Sequence, residues 1–232
     1  MANLLITRTT NRMQPVISFL HTSPVHVPTF TALLQQIMPG AVANHVVDEA
    51  LLRDARAQGP DTPAIVNRVQ AAVRSAAASG APVVVCTCST IGAAAEATPS
   101  EGRFTAMRID RAMADAAVQA GPRVLVVAAL ESTLSPTSAL VKDSARRLGL
   151  TADVAELLVP GAWEEFERGD TARYYRTIAL AVHAALPGPT VVVLAQASMA
   201  PALSLLQDVG VPVLVSPELG VRAALQAVNS AA

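Results

Sequence analysis

The chain has 232 residues, room for one large domain or for two lobes of about 110 residues each. With a formal net charge of -1, no basic block and 3% aromatic residues, it lacks the electrostatic footprint of a nucleic-acid binder. Hydrophobic residues make up 52%, but every apolar run is broken by Gly, Pro or charge before the roughly 20 residues that a membrane span requires.

Residues 1–14 hold Arg8 and Arg12 but no long apolar stretch with a small-residue cleavage site, so no secretory signal is expected and the protein reads as cytoplasmic. The first strand is expected at 16–20, followed by the polar turn His21-Thr22-Ser23. Residues 64–78 have helical spacing, and 83–85 form a second apolar run leading into Cys86-Thr87-Cys88-Ser89-Thr90. A helix is predicted over 111–120, a strand over 124–128 ending at Glu131-Ser132-Thr133, and helices over 138–148 and 171–186. A strand at 191–194 then meets Gln196-Ala197-Ser198, and a last run covers 211–215. The continuously apolar strands suit sheets covered on both faces, and their alternation with helices argues for parallel α/β sheets.

The chain also matches itself under one shift of 108 positions, the spacing from Cys88 to Gln196. Pro28-Thr29 falls on Pro136-Thr137, Gly80 on Gly188, 16–20 on 124–128 and 83–85 on 191–193. The shift also sets 104–113 against 212–221, pairing Asp110 with Glu218. Internal duplication is the reading, with a first lobe over 14–112, a second over 113–210, and 211–232 returning to the first. Two such lobes would face each other, and a shared cleft would lie at the carboxyl ends of their strands.

Cys86 and Cys88 are too close for a relaxed structural disulfide and read as reduced thiols. A strand running into a polar turn and an Ala-rich helix puts a thiol near a helix N-terminus, where its pKa is expected to drop and a carboxylate can be held. Two small core residues are the competing reading. The histidines His21, His26, His45 and His183 show no metal-ligand spacing, so no metal is expected, and no Gly-rich phosphate loop is present. His21, at a strand end, is either a base facing the cleft or a hydrogen-bonded half-buried residue. Thr22 and Ser23 either bind carboxylate or cap the next segment. Trp163 and Tyr174-Tyr175 read as packing residues, and Lys142, Arg146 and Arg147 as a solvated face.

From about residue 16 onward the chain resembles the aspartate/glutamate/hydantoin racemase superfamily. Val84-Val85-Cys86-Thr87-Cys88-Ser89-Thr90 is similar to that family's strand ending in Cys-Asn-Thr, with Cys88 in the cysteine position. Val192-Val193-Leu194-Ala195-Gln196-Ala197-Ser198 matches the strand ending in Gly-Cys-Thr, with Gln196 where the second cysteine stands. Ala129-Leu130-Glu131-Ser132-Thr133 looks like the Ala-Thr-Glu-Gly-Thr turn that helps hold the substrate carboxylate, while His21-Thr22-Ser23 replaces an Asp-Ser pair. The resemblance implies two pseudo-symmetric lobes, no cofactor, a small carboxylate substrate and allows a homodimer. Cys88 is then the catalytic residue, with Thr22, Ser23, Ser89, Thr90, Ser132, Thr133, Gln196, Ala197 and Ser198 binding substrate.

The racemases use two thiols, and an amide cannot replace one as acid or base. One-thiol chemistry at a carbon next to a carboxylate is therefore expected: racemase-like, decarboxylation of a malonate-like acid, or isomerisation of an unsaturated diacid with Cys88 as nucleophile. Gln196 would donate a hydrogen bond to a developing oxyanion. The rival reading is a non-catalytic protein that binds a small carboxylate.

Overall fold

The computed structural model describes residues 16–231, so the features read at 1–14 lie outside the described residues. The first half contains β1 (Ile17–His21), α1 (His26–Ile37), β2 (Ala43–Val47), α2 (Glu49–Gln58), α3 (Pro63–Ala77) and β3 (Val83–Cys86). A 3-10 turn (Ser89–Ile91), the short α4 (Gly92–Glu96) and β4 (Thr105–Arg108) complete it. The second half contains α5 (Arg111–Ala120), β5 (Arg123–Ala128), α6 (Glu131–Leu148), β6 (Asp153–Leu158), α7 (Ala162–Glu167), α8 (Thr171–Ala184) and β7 (Val191–Leu194). A 3-10 helix (Ala197–Leu205), β8 (Val213–Val215) and α9 (Ser216–Ala231) follow.

The strands form two parallel four-stranded sheets with the same order, β2-β1-β3-β4 and β6-β5-β7-β8. In each sheet the order of strand addition reverses between the two central strands, and a parallel sheet opens its ligand crevice at such a switch point. The carboxyl ends of β1 and β3 carry Thr22 and Cys88, and those of β5 and β7 carry Leu130 and Gln196. Central strands are buried on both faces, which is why β3, β7 and β5 from Val124 onward are Val- and Leu-dominated apolar runs, while β1 also buries Ser18 and His21. Edge strands β2, β4 and β6 are partly exposed and mix polar with apolar residues, so they carry no comparable signal.

The lobes exchange their last helices. α5 follows β4 of the first sheet, yet Met113, Ala114, Ala117 and Val118 pack on Val124, Val126, Val191 and Val193 of the second. α9 follows β8 of the second sheet, yet Val221 and Ala224 pack on Ile17, Phe19, Val83 and Val85 of the first. The expected return of 211–232 to the first lobe is therefore corrected in part: β8 pairs with β7 in the second sheet, and α9 alone crosses. The boundary at 112/113 moves as well, because α5 as a unit buries its apolar face in the second core.

The crossing helix demands a close backbone approach at Gly220, where an added Cβ would lie 2.2 Å from the Ile109 carbonyl oxygen. Backbone cannot yield as a flexible side chain can. Gly220→Ala is expected to destabilise the chain by at least about 1–3 kcal/mol, measured by urea unfolding; an unchanged midpoint would contradict this seating of α9.

Candidate active site

β3 delivers Cys88 in extended backbone (φ -104°, ψ 115°) immediately before the 3-10 turn. Its residue is only partly covered, but protein atoms crowd the sulfur. Burial pushes the thiol above its ordinary value, against the Thr22 hydroxyl, the N–H groups of Ile91 and Thr90 and the Thr90 hydroxyl, which favour thiolate. The expected drop in pKa is thus reversed. The Ala-rich helix predicted to lower it is a 3-10 turn followed by only five residues of α-helix, too short to build a macrodipole that outweighs desolvation. Cys86 lies in the first core, its Sγ 3.6 Å from the Cys88 carbonyl, and burial raises its pKa as well.

Cys88 shares one cleft with Thr22, Ser23, Ser89 and Thr90 of the first lobe and Thr133, Gln196, Ala197 and Ser198 of the second. Gln196 precedes the 3-10 helix of the second lobe and accepts a 2.6 Å hydrogen bond from the Ala129 N–H through Oε1. No acceptor among the described residues holds its NH2 group, which remains available as a donor. Thr90 and Thr133 approach across the lobes at 3.3 Å, and Ser198 pairs with the buried Tyr174 hydroxyl at 2.9 Å. Ser89 is committed to structure: its hydroxyl donates to the Ala195 carbonyl at 2.8 Å, tying the two strand ends together. Ser132 is a correction, because it lines a separate groove with Arg108, Arg111 and Asp143. One helical residue before Thr133, it points about 100° around the axis of α6 and away from the cleft.

The cleft is narrow, about 40 Å³, and shares Thr22, Ser23, Leu52 and Trp163 with a neighbouring vestibule of about 820 Å³. Leu52 from α2 and Trp163 from α7 stand where the two spaces meet, and Trp163 donates to Glu167 at 2.6 Å. Read from the sequence as packing, Trp163 is a wall of the site. His26, Thr87 and Leu130 complete the lining and were not assigned to it from the sequence.

Below the Cys88 turn, Arg108 binds Asp110 through two hydrogen bonds of 2.6 and 3.0 Å, the side chains being 3% and 0% exposed. Arg108 also donates to the Ser89 carbonyl at 3.3 Å. Although burial opposes ionisation, the Arg108 guanidinium holds the Asp110 carboxyl below its usual range. The residue matched to Asp110 by the internal shift, Glu218, is instead exposed and paired with Arg222.

His21 is buried beneath the cleft rather than lining it. Thr31 donates to the Val27 carbonyl at 2.8 Å, so it accepts from His45 Nε2–H at 3.0 Å. The chain continues from His45 Nδ1 to His21 Nε2 and from His21 Nδ1 to the Thr87 hydroxyl, both at 2.9 Å, and the Thr87 hydroxyl also lies 3.3 Å from the Leu20 carbonyl. Both ring nitrogens of His21 are thereby occupied. Burial first, then His45 and His26, pushes its pKa from 6.5 down to about 3.

A pH effect on stability follows. Between the unfolded value of 6.5 and the folded value of about 3, the unfolded chain binds the extra proton, so stability is lost as pH falls through this window. His21 alone is expected to contribute about 1.4 kcal/mol of loss per pH unit, and the lowered pKa values of His26 and His45 act in the same direction. Urea midpoints that stay constant from pH 7 to pH 4 would contradict this burial.

A family model described as Asp/Glu/Hydantoin racemase matches residues 21–224. The fold is similar to that of Picrophilus torridus aspartate racemase, with a TM-score of 0.66 and 14% identity over 93% of this chain and 94% of that one. It is similar to glutamate racemase RacE1 from Bacillus anthracis, with a TM-score of 0.69 and 17% identity over 93% and 82% of the two chains. A Gly74Cys mutant of arylmalonate decarboxylase in a sulfate-associated form gives a TM-score of 0.60 and 20% identity over 94% and 95%. No curated protein matches the sequence.

Proposed function

The chain belongs to the Asp/Glu/Hydantoin racemase family, and we propose that it is a cofactor-independent enzyme acting at a carbon adjacent to a carboxylate through one thiol, Cys88. The observation that carries this reading is the cleft itself: one protonated thiol, surrounded by hydrogen-bond donors, shares it with an amide at the position where the internal shift would place a second thiol.

A thiol ordinarily titrates above neutral pH, so one raised further by burial is protonated there and available as an acid. Cys88 therefore enters the reaction as a proton donor: its S–H bond breaks, a C–H bond forms on an enolate-like carbon, and a thiolate remains. The Thr22 and Thr90 hydroxyls and the Thr90 and Ile91 N–H groups stabilise that thiolate as it forms. In this reading Thr133 and Ser198, which line the same cleft, hold the substrate carboxylate, and the free NH2 of Gln196 donates to the developing oxyanion. Malonate-like decarboxylation and racemase-like or isomerase proton transfer all use this step, and a similar fold in an arylmalonate decarboxylase supports including the first. A cytoplasmic location belongs to the same proposal, and the two free thiols are compatible with it.

Non-catalytic carboxylate binding is the second reading, favoured by the absence of a thiol activated at rest. Alkylation tests the state of the thiol, and turnover in heavy water separates the two readings. Iodoacetamide is expected to modify Cys88 more slowly than a free thiol at pH 7, with the rate climbing only above the ordinary thiol range, and small carboxylates should protect it. Fast alkylation at neutral pH would contradict the proton-donor role.

A further inference from the structure

Among the residues lining the cleft, only Cys88 and His26 carry titratable side chains. His26 opens α1, just beyond the turn that carries Thr22 and Ser23, and it also lines the groove formed by Ala197 and Ser198 of the opposite lobe. It therefore stands beside the second-lobe turn, where Gln196 cannot act as acid or base. Its ring packs edge-on to Phe30 at 6.4 Å and lies 6.5 Å from the ring of His21. His21 and His45 spend both ring nitrogens on hydrogen bonds. No side-chain hydrogen bond among the described residues engages either nitrogen of His26.

We propose that His26 is the catalytic base that works with Cys88, which makes the reaction a proton transfer on an acid bearing a C–H bond beside its carboxylate. The proposal rests on the Cys88 reading above and narrows it from decarboxylation towards isomerisation. In the step, the C–H bond breaks and its proton passes to a free imidazole nitrogen, while the electron pair delocalises into the carboxylate. The S–H bond of Cys88 then breaks and a new C–H bond forms. Imidazolium and thiolate remain, and one proton passing from the first to the second restores both. Nothing is oxidised or reduced.

The electrostatic surroundings suit these roles. Among the described residues the titratable neighbours of His26 are His21 on β1, with His45 on β2 behind it, Cys88 across the cleft, and two groups that line the same groove, Tyr175 of α8, whose pKa burial raises, and Glu218 of α9, which is paired with Arg222. Burial pushes His26 below its ordinary value and Cys88 above its own, so at neutral pH the imidazole is a free base and the thiol a free acid. Environments that drive two groups apart in this way assign base and acid.

Bromoacetate tests the placement without a known substrate, since it presents an electrophilic carbon beside a carboxylate. In the Cys88→Ser protein, displacement of bromide should carboxymethylate His26 saturably, about tenfold or more faster than the half-exposed His183, as read by peptide mass spectrometry. Labelling of His26 no faster than that of His183 would overturn the proposal. With any substrate whose C–H exchanges in heavy water, His26→Gln should slow exchange by about 10²-fold or more without loss of thermal stability, and should remove the fall in rate below the ordinary histidine pKa. Exchange that needs Cys88 but ignores His26 would overturn the proposal and leave the single-thiol reading standing; exchange indifferent to Cys88 would overturn that reading itself.

Discussion

Replacing Cys88 by Ser is expected to lower turnover by about 10²- to 10⁴-fold, the range for a positioned proton donor, while leaving the fold intact. A serine hydroxyl fits the space and still satisfies the Thr22, Thr90 and Ile91 donors, so stability should change little. What it lacks is acidity: its proton is held too tightly to be given to carbon, and its conjugate base is too costly to leave in a crowded cleft. The effect should fall on kcat, since carboxylate contacts survive. Cys86→Ala is the matching control, expected to cost stability through lost packing against the first core but to leave turnover nearly unchanged. A Cys88→Ser protein that retains wild-type turnover would remove the thiol from the mechanism.

The second large effect is expected at Asp110. Asp110→Ala leaves the Arg108 guanidinium buried without its partner, which should cost about 3–5 kcal/mol, measured by denaturant unfolding. The site should feel it too. Arg108 also holds the Ser89 carbonyl, and Gly92 lies so close that an added Cβ would sit 2.8 Å from the guanidinium Nε. Loss of the pair should therefore loosen the Cys88 turn and speed its alkylation, whereas Asp110→Asn, which keeps an acceptor, should do less of both. Unchanged stability in Asp110→Ala would mean that Arg108 finds water or another acceptor.

The parts of the molecule legible in the sequence are those whose physics is local. β3 and β7 are buried on both faces, so Val83–Cys86 and Val191–Leu194 announce themselves as apolar runs set at one shift. Turns that follow such strands hold the cleft residues, and Cys88, Thr133 and Gln196 could be named for that reason. Edge strands were missed because half-exposed segments such as Asp153–Leu158 need no apolar periodicity. The crossing of α5 was missed, and that of α9 was read with β8 attached, because a helix with one apolar stripe does not specify which of two similar sheets it covers. Ser132 was misplaced because a turn motif gives sequence position but not the direction of a side chain around α6. The thiol pKa was misjudged because desolvation depends on how the assembled cleft closes around the sulfur, and its lining includes Leu52 and Trp163 from α2 and α7, distant in the chain. His26 did leave a signal, a titratable residue just beyond the first strand's turn, but only the assembled cleft distinguishes it from His21.

The most direct test of the account is deuterium uptake, followed by NMR, when the wild-type protein and Cys88→Ser are incubated in heavy water with amino acids, hydroxy acids, malonates and unsaturated diacids. The account predicts uptake or product formation with at least one of these classes in the wild type and its loss in Cys88→Ser. Chemistry that survives the substitution, or reversible carboxylate binding with no reaction across the whole panel, would contradict it.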